Sequence, residues 1–328
     1  MENPPPEARR EDRGGVLPRL GGAVWRLAAY AVLFMALSGV LLRVAGRLGL
    51  EGDDALSFGP TAASLLASLV AGWVMMRGVE RRPFGAMGFA PGRAAAGESG
   101  TGMVVGAALL GAAVLLVAAT GGARWIPDAG TLPGYLGFAL RTLAFFAVAA
   151  ALEEVLFRGY PFQVLERGIG AWPAAVLLSL LFAAAHAGNP NVRALGLANI
   201  FLAGLMLSAA YLRTRSLWFA TAVHLGWNWT MATLLDLPVS GLEIDTPLYT
   251  GTETGPDWWT GGAFGPEAGL AATLVLAAGT AWLVRTHRLR ESPDVRRLGP
   301  LVDETTSADP VPGVDGERRE AGPRERWT

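Results

Sequence analysis

Three long intervals of this chain, Leu27 to Leu42, Ala55 to Met76 and Thr101 to Thr120, are apolar and carry no internal charge. About 20 apolar residues are needed to cross a hydrocarbon core of about 30 Å as a helix. Inside lipid the backbone has to satisfy its own hydrogen bonds, and a helix does so within one segment. A chain with such intervals is built around membrane-spanning helices.

Five further apolar stretches follow, at Tyr135 to Tyr160, Ala171 to Ala187, Ala194 to Leu212, Ser216 to Leu235 and Ala268 to Val284. The expected fold class is all-α, a polytopic transmembrane bundle of about eight helices, some short enough to lie obliquely or to enter the bilayer only partway. Charged residues make up 17% of the chain, against about a quarter in soluble domains, and they crowd into the ends and a few short connections. Residues 1–20, with Pro4, Pro5 and Pro6, and residues 291–328, rich in Pro, Gly, Asp, Glu and Arg, are expected to be disordered cytoplasmic tails around a transmembrane domain at 21–290. The first apolar stretch begins only after Arg26, so no secretory signal peptide is expected.

Arginine placement orients the bundle, because short cytoplasmic loops are enriched in basic residues. With the N-terminus inside, Arg77, Arg81, Arg82, Arg93, Arg158, Arg167, Arg213 and Arg215 fall on the cytoplasmic side, while the outer loop from Asp236 to Glu267 holds six acids and no arginine. Both termini are therefore expected to be cytoplasmic, in a multi-pass cell-membrane protein. All 27 basic residues are arginine, and with 43 Gly and 21 Pro this composition fits a GC-rich, bacterial coding sequence. The absence of cysteine removes disulfides, thiolate ligands and a cysteine nucleophile from consideration. There is no glycine-rich phosphate loop and no basic stripe interleaved with aromatics, so neither nucleotide nor nucleic acid is expected as a partner.

Ionisable residues inside apolar helices are costly and mark function. Glu153 and Glu154 stand near the end of the fourth stretch, with Arg158 one turn beyond Glu154. That spacing lets Glu154 pair with Arg158, while Glu153, about 100° around the helix, stays free to act as a general base. His186 ends the apolar run that contains Phe182, and His224 shares a helix face with Asn228, four residues on. Each group taken singly also has a structural reading: an interfacial salt bridge, a helix-end histidine, an amide packed between helices. Two of the chain's three histidines lie in expected spans, however, and polar groups on separate helices in lipid satisfy one another by converging on one pocket. Depth argues the other way for one of them, since Glu153 and Glu154 fall toward the cytoplasmic end of their span and His186 near the outer end of its own.

The three patterns, in this order, resemble the CAAX-protease/bacteriocin-processing (CPBP, Abi) family of intramembrane proteases. Its EExxxR motif corresponds to Glu153, Glu154 and Arg158, its FxxxH motif to Phe182 and His186, and its HxxxN motif to His224 and Asn228. The run from Phe201 to Trp218, with Tyr211-Leu212-Arg213-Thr214 ahead of Ser216-Leu217-Trp218, is also similar, apart from Arg215, where relatives often carry a small residue. The resemblance covers roughly 141–230.

It implies hydrolysis of a peptide bond in a membrane-associated peptide or protein by an activated water. In that reading Glu153 is the base, Glu154 with Arg158 positions it, and His224 with Asn228 stabilises the oxyanion. His186 shares in water activation or binds a metal, since the family is commonly described as metalloproteases. Two histidines and a glutamate, His186, His224 and Glu153, form a candidate zinc set with water in the fourth position. The rival readings are a proton- or ion-coupled transporter using the same charges, which would call for paired discontinuous helices or repeated halves, and a non-catalytic scaffold or immunity protein.

Overall fold

A computed structural model of the chain describes residues 16–50 and 56–302. The terminal parts of both expected tails, 1–15 and 303–328, lie outside those residues. All eight apolar stretches are helical. In order they become α1 (Val16–Arg47), α2 (Phe58–Val74), α3 (Arg93–Ala119), α4 (Leu132–Arg158), α6 (Ala171–Ala185), α7 (Ala194–Thr214), α8 (Leu217–Trp229) and α10 (Leu270–Arg285), with α5 (Tyr160–Ile169) and the one-turn α9 (Asp257–Thr260) between them. Five helical segments, Leu20–Arg47, Phe58–Val79, Arg93–Ala119, Leu132–Ile169 and Ala194–Thr214, are long and apolar enough to cross a membrane, as expected of a multi-pass protein.

The helix ends follow local chemistry more than hydropathy. Helix α1 runs through Arg26 because that guanidinium reaches Glu80 Oε1 and the Gly22 carbonyl, both at 2.9 Å. Thr131 caps α4 by accepting from Gly134 N, and Ser216 caps α8 by accepting from Phe219 N. Helix α8 ends in a π-helical turn, Thr230–Leu234.

The fourth span does not stop at Tyr160. Gly159 and Pro161 break the helix there, since Pro161 has no N–H to give back to the preceding turn, but the chain resumes helically as α5 to Ile169. This lengthened path places Glu153 near the middle of the segment Leu132–Ile169. The following α6 has 15 residues and rises about 22 Å, which returns its end to the level of Glu153. His186 Nε2 stands 3.9 Å from Glu153 Oε2, so the two residues are at one level despite the mismatch in depth expected from the sequence.

Two apolar cores flank this region. One joins α3, α4, α7, α8 and α10 through residues such as Leu110, Phe146, Met206, Val223 and Leu276; the other joins α1, α2, α5 and α6 through Tyr30, Ala71, Phe162 and Leu178. At one end of the bundle, β1 (Ala123–Pro127) pairs antiparallel with β2 (Tyr249–Glu253). On the opposite side, residues 291–302 of the expected C-terminal tail are folded rather than loose. They contain α11 (Pro293–Leu298), bury Val295, Leu301 and Val302, and hold Leu301 N against Gln163 Oε1 at 2.8 Å.

Candidate functional site

Helices α4, α6 and α8 bring the charged and imidazole groups together. Glu154 and Arg158 are fully buried and paired at 3.1 Å, and Arg158 also donates to the Gly204 carbonyl of α7 at 2.9 Å. The guanidinium lies 4.7 Å from the centre of the Phe182 ring, which gives that aromatic a direct part in holding the ion pair. His224 Nδ1 is 2.9 Å from Glu154 Oε1. His186 Nδ1 is 2.8 Å from the Phe182 carbonyl one turn back. With Nδ1 of each ring committed, the two Nε2 atoms are turned toward Glu153.

Glu153 Oε2 lies 3.9 Å from His186 Nε2 and 3.8 Å from His224 Nε2. These gaps are too long for direct hydrogen bonds and short enough for one water to bridge all three atoms. The Glu153 side chain is 30% exposed, against none for Glu154, so the adjacent acids occupy different environments. Asn228 is half-buried one helical turn from His224.

The candidate metal set is His186, His224 and Glu153. Ligands at 2.0–2.1 Å around tetrahedral zinc stand about 3.3 Å from one another, closer than the 3.8 and 3.9 Å found here. Among the described residues no group of three His, Asp or Glu side chains is arranged to hold a metal ion. The donor set as folded does not fit a tetrahedral cation.

One acid near these histidines belongs to no sequence motif. Glu267, in the loop before α10, is buried, and its Oε2 accepts from Ser240 N at 2.8 Å and Ser240 Oγ at 2.7 Å. Burial pushes its carboxyl above the usual range, while Ser240 and the charges of His186 and His224 pull the other way. No local pattern marks it, because a loop brings it to the site. The departure at Arg215 also has a structural account: it sits in left-handed backbone at the end of α7 and grips Glu166 of α5 with two bonds, of 2.6 and 2.8 Å.

Residues 135–230 match the family described as type II CAAX prenyl endopeptidase Rce1-like, in agreement with the resemblance to CAAX-type proteases. All seven motif residues lie inside that segment, and Glu267 lies outside it. An Escherichia coli protein described as an uncharacterized 24.3 kDa protein is 35% identical over 123 residues, which is 37% of this chain; the chain spans 54% of that protein's length. No solved structure matches the chain.

Proposed function

We propose that this protein is an intramembrane endopeptidase that cleaves a membrane-associated peptide or protein by a water activated between Glu153 and His186. The observation that carries the reading is the approach of both Nε2 atoms to Glu153 Oε2 at 3.8 and 3.9 Å. A water held there gives one proton to Glu153, and its oxygen attacks the scissile carbonyl carbon. His186, with Nδ1–H anchored on the Phe182 carbonyl, accepts the water's other hydrogen at Nε2 and fixes its orientation.

The carbonyl oxygen, now an oxyanion, receives hydrogen bonds from Asn228 Nδ2–H and from Nε2–H of a doubly protonated His224. His224 keeps its other N–H on Glu154, whose position is set by Arg158. When the intermediate collapses, Glu153 passes its proton to the departing amine, leaving a free carboxylate and a free amine.

The charge distribution supports one orientation of the bundle. Arg82, Arg167 and Arg215 sit at the end where residues 291–302 are folded, and the acidic loop from Asp236 to Glu267 sits at the other. This supports a cytoplasmic C-terminus in a bacterial cell membrane.

The test compares the membrane and secreted peptidomes of cells expressing wild type or Glu153→Ala at equal levels. Cleavage products present only with wild type are expected. Identical peptidomes overturn the reading.

A further inference from the structure

We propose that Thr142 of α4 and Thr233 of the π-helical turn are positioning residues for Asn228, holding its amide where the oxyanion forms. The inference rests on the endopeptidase reading and deepens it. It assigns a role to two hydroxyls that belong to none of the three motifs, one of them outside the matched 135–230 segment.

Asn228 depends on support from elsewhere. Its side-chain amide has no hydrogen-bond partner among the described residues, whereas His224 is fixed on Glu154 at 2.9 Å. The aim of the amide is therefore set by the backbone of α8, and that backbone leaves regular α-helix at Thr230, two residues on. A π-helical turn is wider than an α-turn, rare, and frequent at functional sites.

Helix α4 and β2 hold this turn in place. Thr142 and Thr233 are both fully buried, with their hydroxyl oxygens 2.8 Å apart. The Thr142 hydroxyl has the Phe138 and Ala139 carbonyls at 3.0 and 3.1 Å to receive its proton, so the Thr233 O–H donates to Thr142 Oγ1. Tyr135 of α4 and Tyr249 of β2 donate to the Thr233 carbonyl at 3.0 and 3.1 Å. Trp229, next to Asn228, donates Nε1–H to the Ala139 carbonyl at 3.1 Å. Helices α4 and α8 are thus tied twice, by Glu154 with His224 and by Thr142 with Thr233, and Asn228 lies between the two ties. One tie alone would let α8 pivot about His224; the second removes that freedom.

The experiment uses the full chain in detergent micelles with ¹⁵N-asparagine labelling, and reads the side-chain amides without substrate. Asn228 is identified by the signals lost in Asn228→Ala. Asn199 of α7, bonded to the Glu267 and Gly269 carbonyls, reports an intact bundle. In Thr142→Val and in Thr233→Val the Asn228 signals are expected to move while Asn199 stays put. The double variant should move them no further than the larger single change, because both act through one bond. Thr142→Ser, which keeps the oxygen, should show the wild-type position. Tyr135→Phe leaves the Thr233 carbonyl its bond from Tyr249 and should give a smaller displacement, which keeps the test open even where Thr142→Val does not fold. Unmoved Asn228 signals in the folded variants overturn the proposal, as do an equal displacement of Asn199 and a double variant that shifts by the sum of the singles. In turnover, Thr142→Val is expected to lose roughly 10²-fold in kcat with KM unchanged, and an unchanged kcat also overturns the proposal. Failure of the endopeptidase reading shows instead as a wild type that cleaves nothing, whereas the amide signals need no substrate.

Discussion

His224 Nδ1 and Arg158 Nη1 meet on one oxygen, Glu154 Oε1, at 2.9 and 3.1 Å. Two helices therefore share a single buried charge, and removing any member strands the others. Arg158→Met is expected to destabilise the fold by about 3–5 kcal/mol, because it leaves Glu154 buried without its cation. Glu154→Gln keeps an acceptor oxygen but leaves Arg158 buried without its counter-charge, so it is expected to cost stability as well, less than Arg158→Met because the hydrogen bonds survive, and to lose roughly 10²–10⁴-fold in turnover as His224 loses its counter-charge. Thermal unfolding in detergent, read beside cleavage rate, separates the two. Equal melting losses would remove the distinction between the residues.

Metal removal gives a second expected outcome. The donor gaps of 3.8 and 3.9 Å around Glu153 exceed the spacing of about 3.3 Å that zinc imposes. Chelator-treated protein, shown metal-free by elemental analysis, should cleave at an undiminished rate. Loss of cleavage that zinc alone restores would mean that the three groups close around a metal in the working enzyme.

The span pattern was legible because it depends on local hydropathy. Each apolar stretch became a helix even though α1 runs well past the expected Leu27 to Leu42, held by bonds from Arg26. The convergence of Glu154, Arg158 and His224 was legible for a similar reason, since unpaired polar groups on lipid-embedded helices have few other partners. The level of His186 was not. It depends on the chain resuming as α5 after Gly159, and α5 carries Gln163, Glu166 and Arg167, which hide it from a search for apolar runs. Glu267 was invisible because a loop brings it there, held by Ser240 and by Asn199 of α7, 27 and 68 residues away in sequence.

Glycine packing sets the position of the His224 helix. A β-carbon on Gly226 would fall against the Met103 carbonyl, and one on Gly106 against the Val223 carbonyl. Small residues allow this close approach of α3 and α8, and neither obstacle can rotate away because both are backbone. Gly226→Ala is expected to cost roughly 1–3 kcal/mol and to abolish cleavage by displacing His224 and Asn228 together. Gly111→Ala, on the same α3 but with nothing within 4 Å, should leave both melting temperature and activity unchanged. A neutral Gly226→Ala would show that the two helices can part without moving the site.

Stability should also depend on pH through the outer sheet. Burial of the Glu253 carboxyl on β2 pushes it from 4.5 up to about 7, only partly offset by the nearby polar groups of Thr260 and Gly262, and neither carboxylate oxygen has a hydrogen-bond partner among the described residues. Between those values the folded protein holds a proton that the unfolded chain has released. Stability contributed by this group is therefore full below about pH 4.5 and is lost as pH rises through about 7, by on the order of 3 kcal/mol. Asp236 and Glu267, also raised by burial, add to the slope with the same sign. The wild-type melting temperature in detergent is expected to fall between pH 5 and pH 8. Glu253→Gln, which holds its neutral form at every pH, should flatten most of that fall and melt above wild type at pH 8. An unchanged slope in the variant would show that Glu253 reaches water and titrates as an ordinary surface acid.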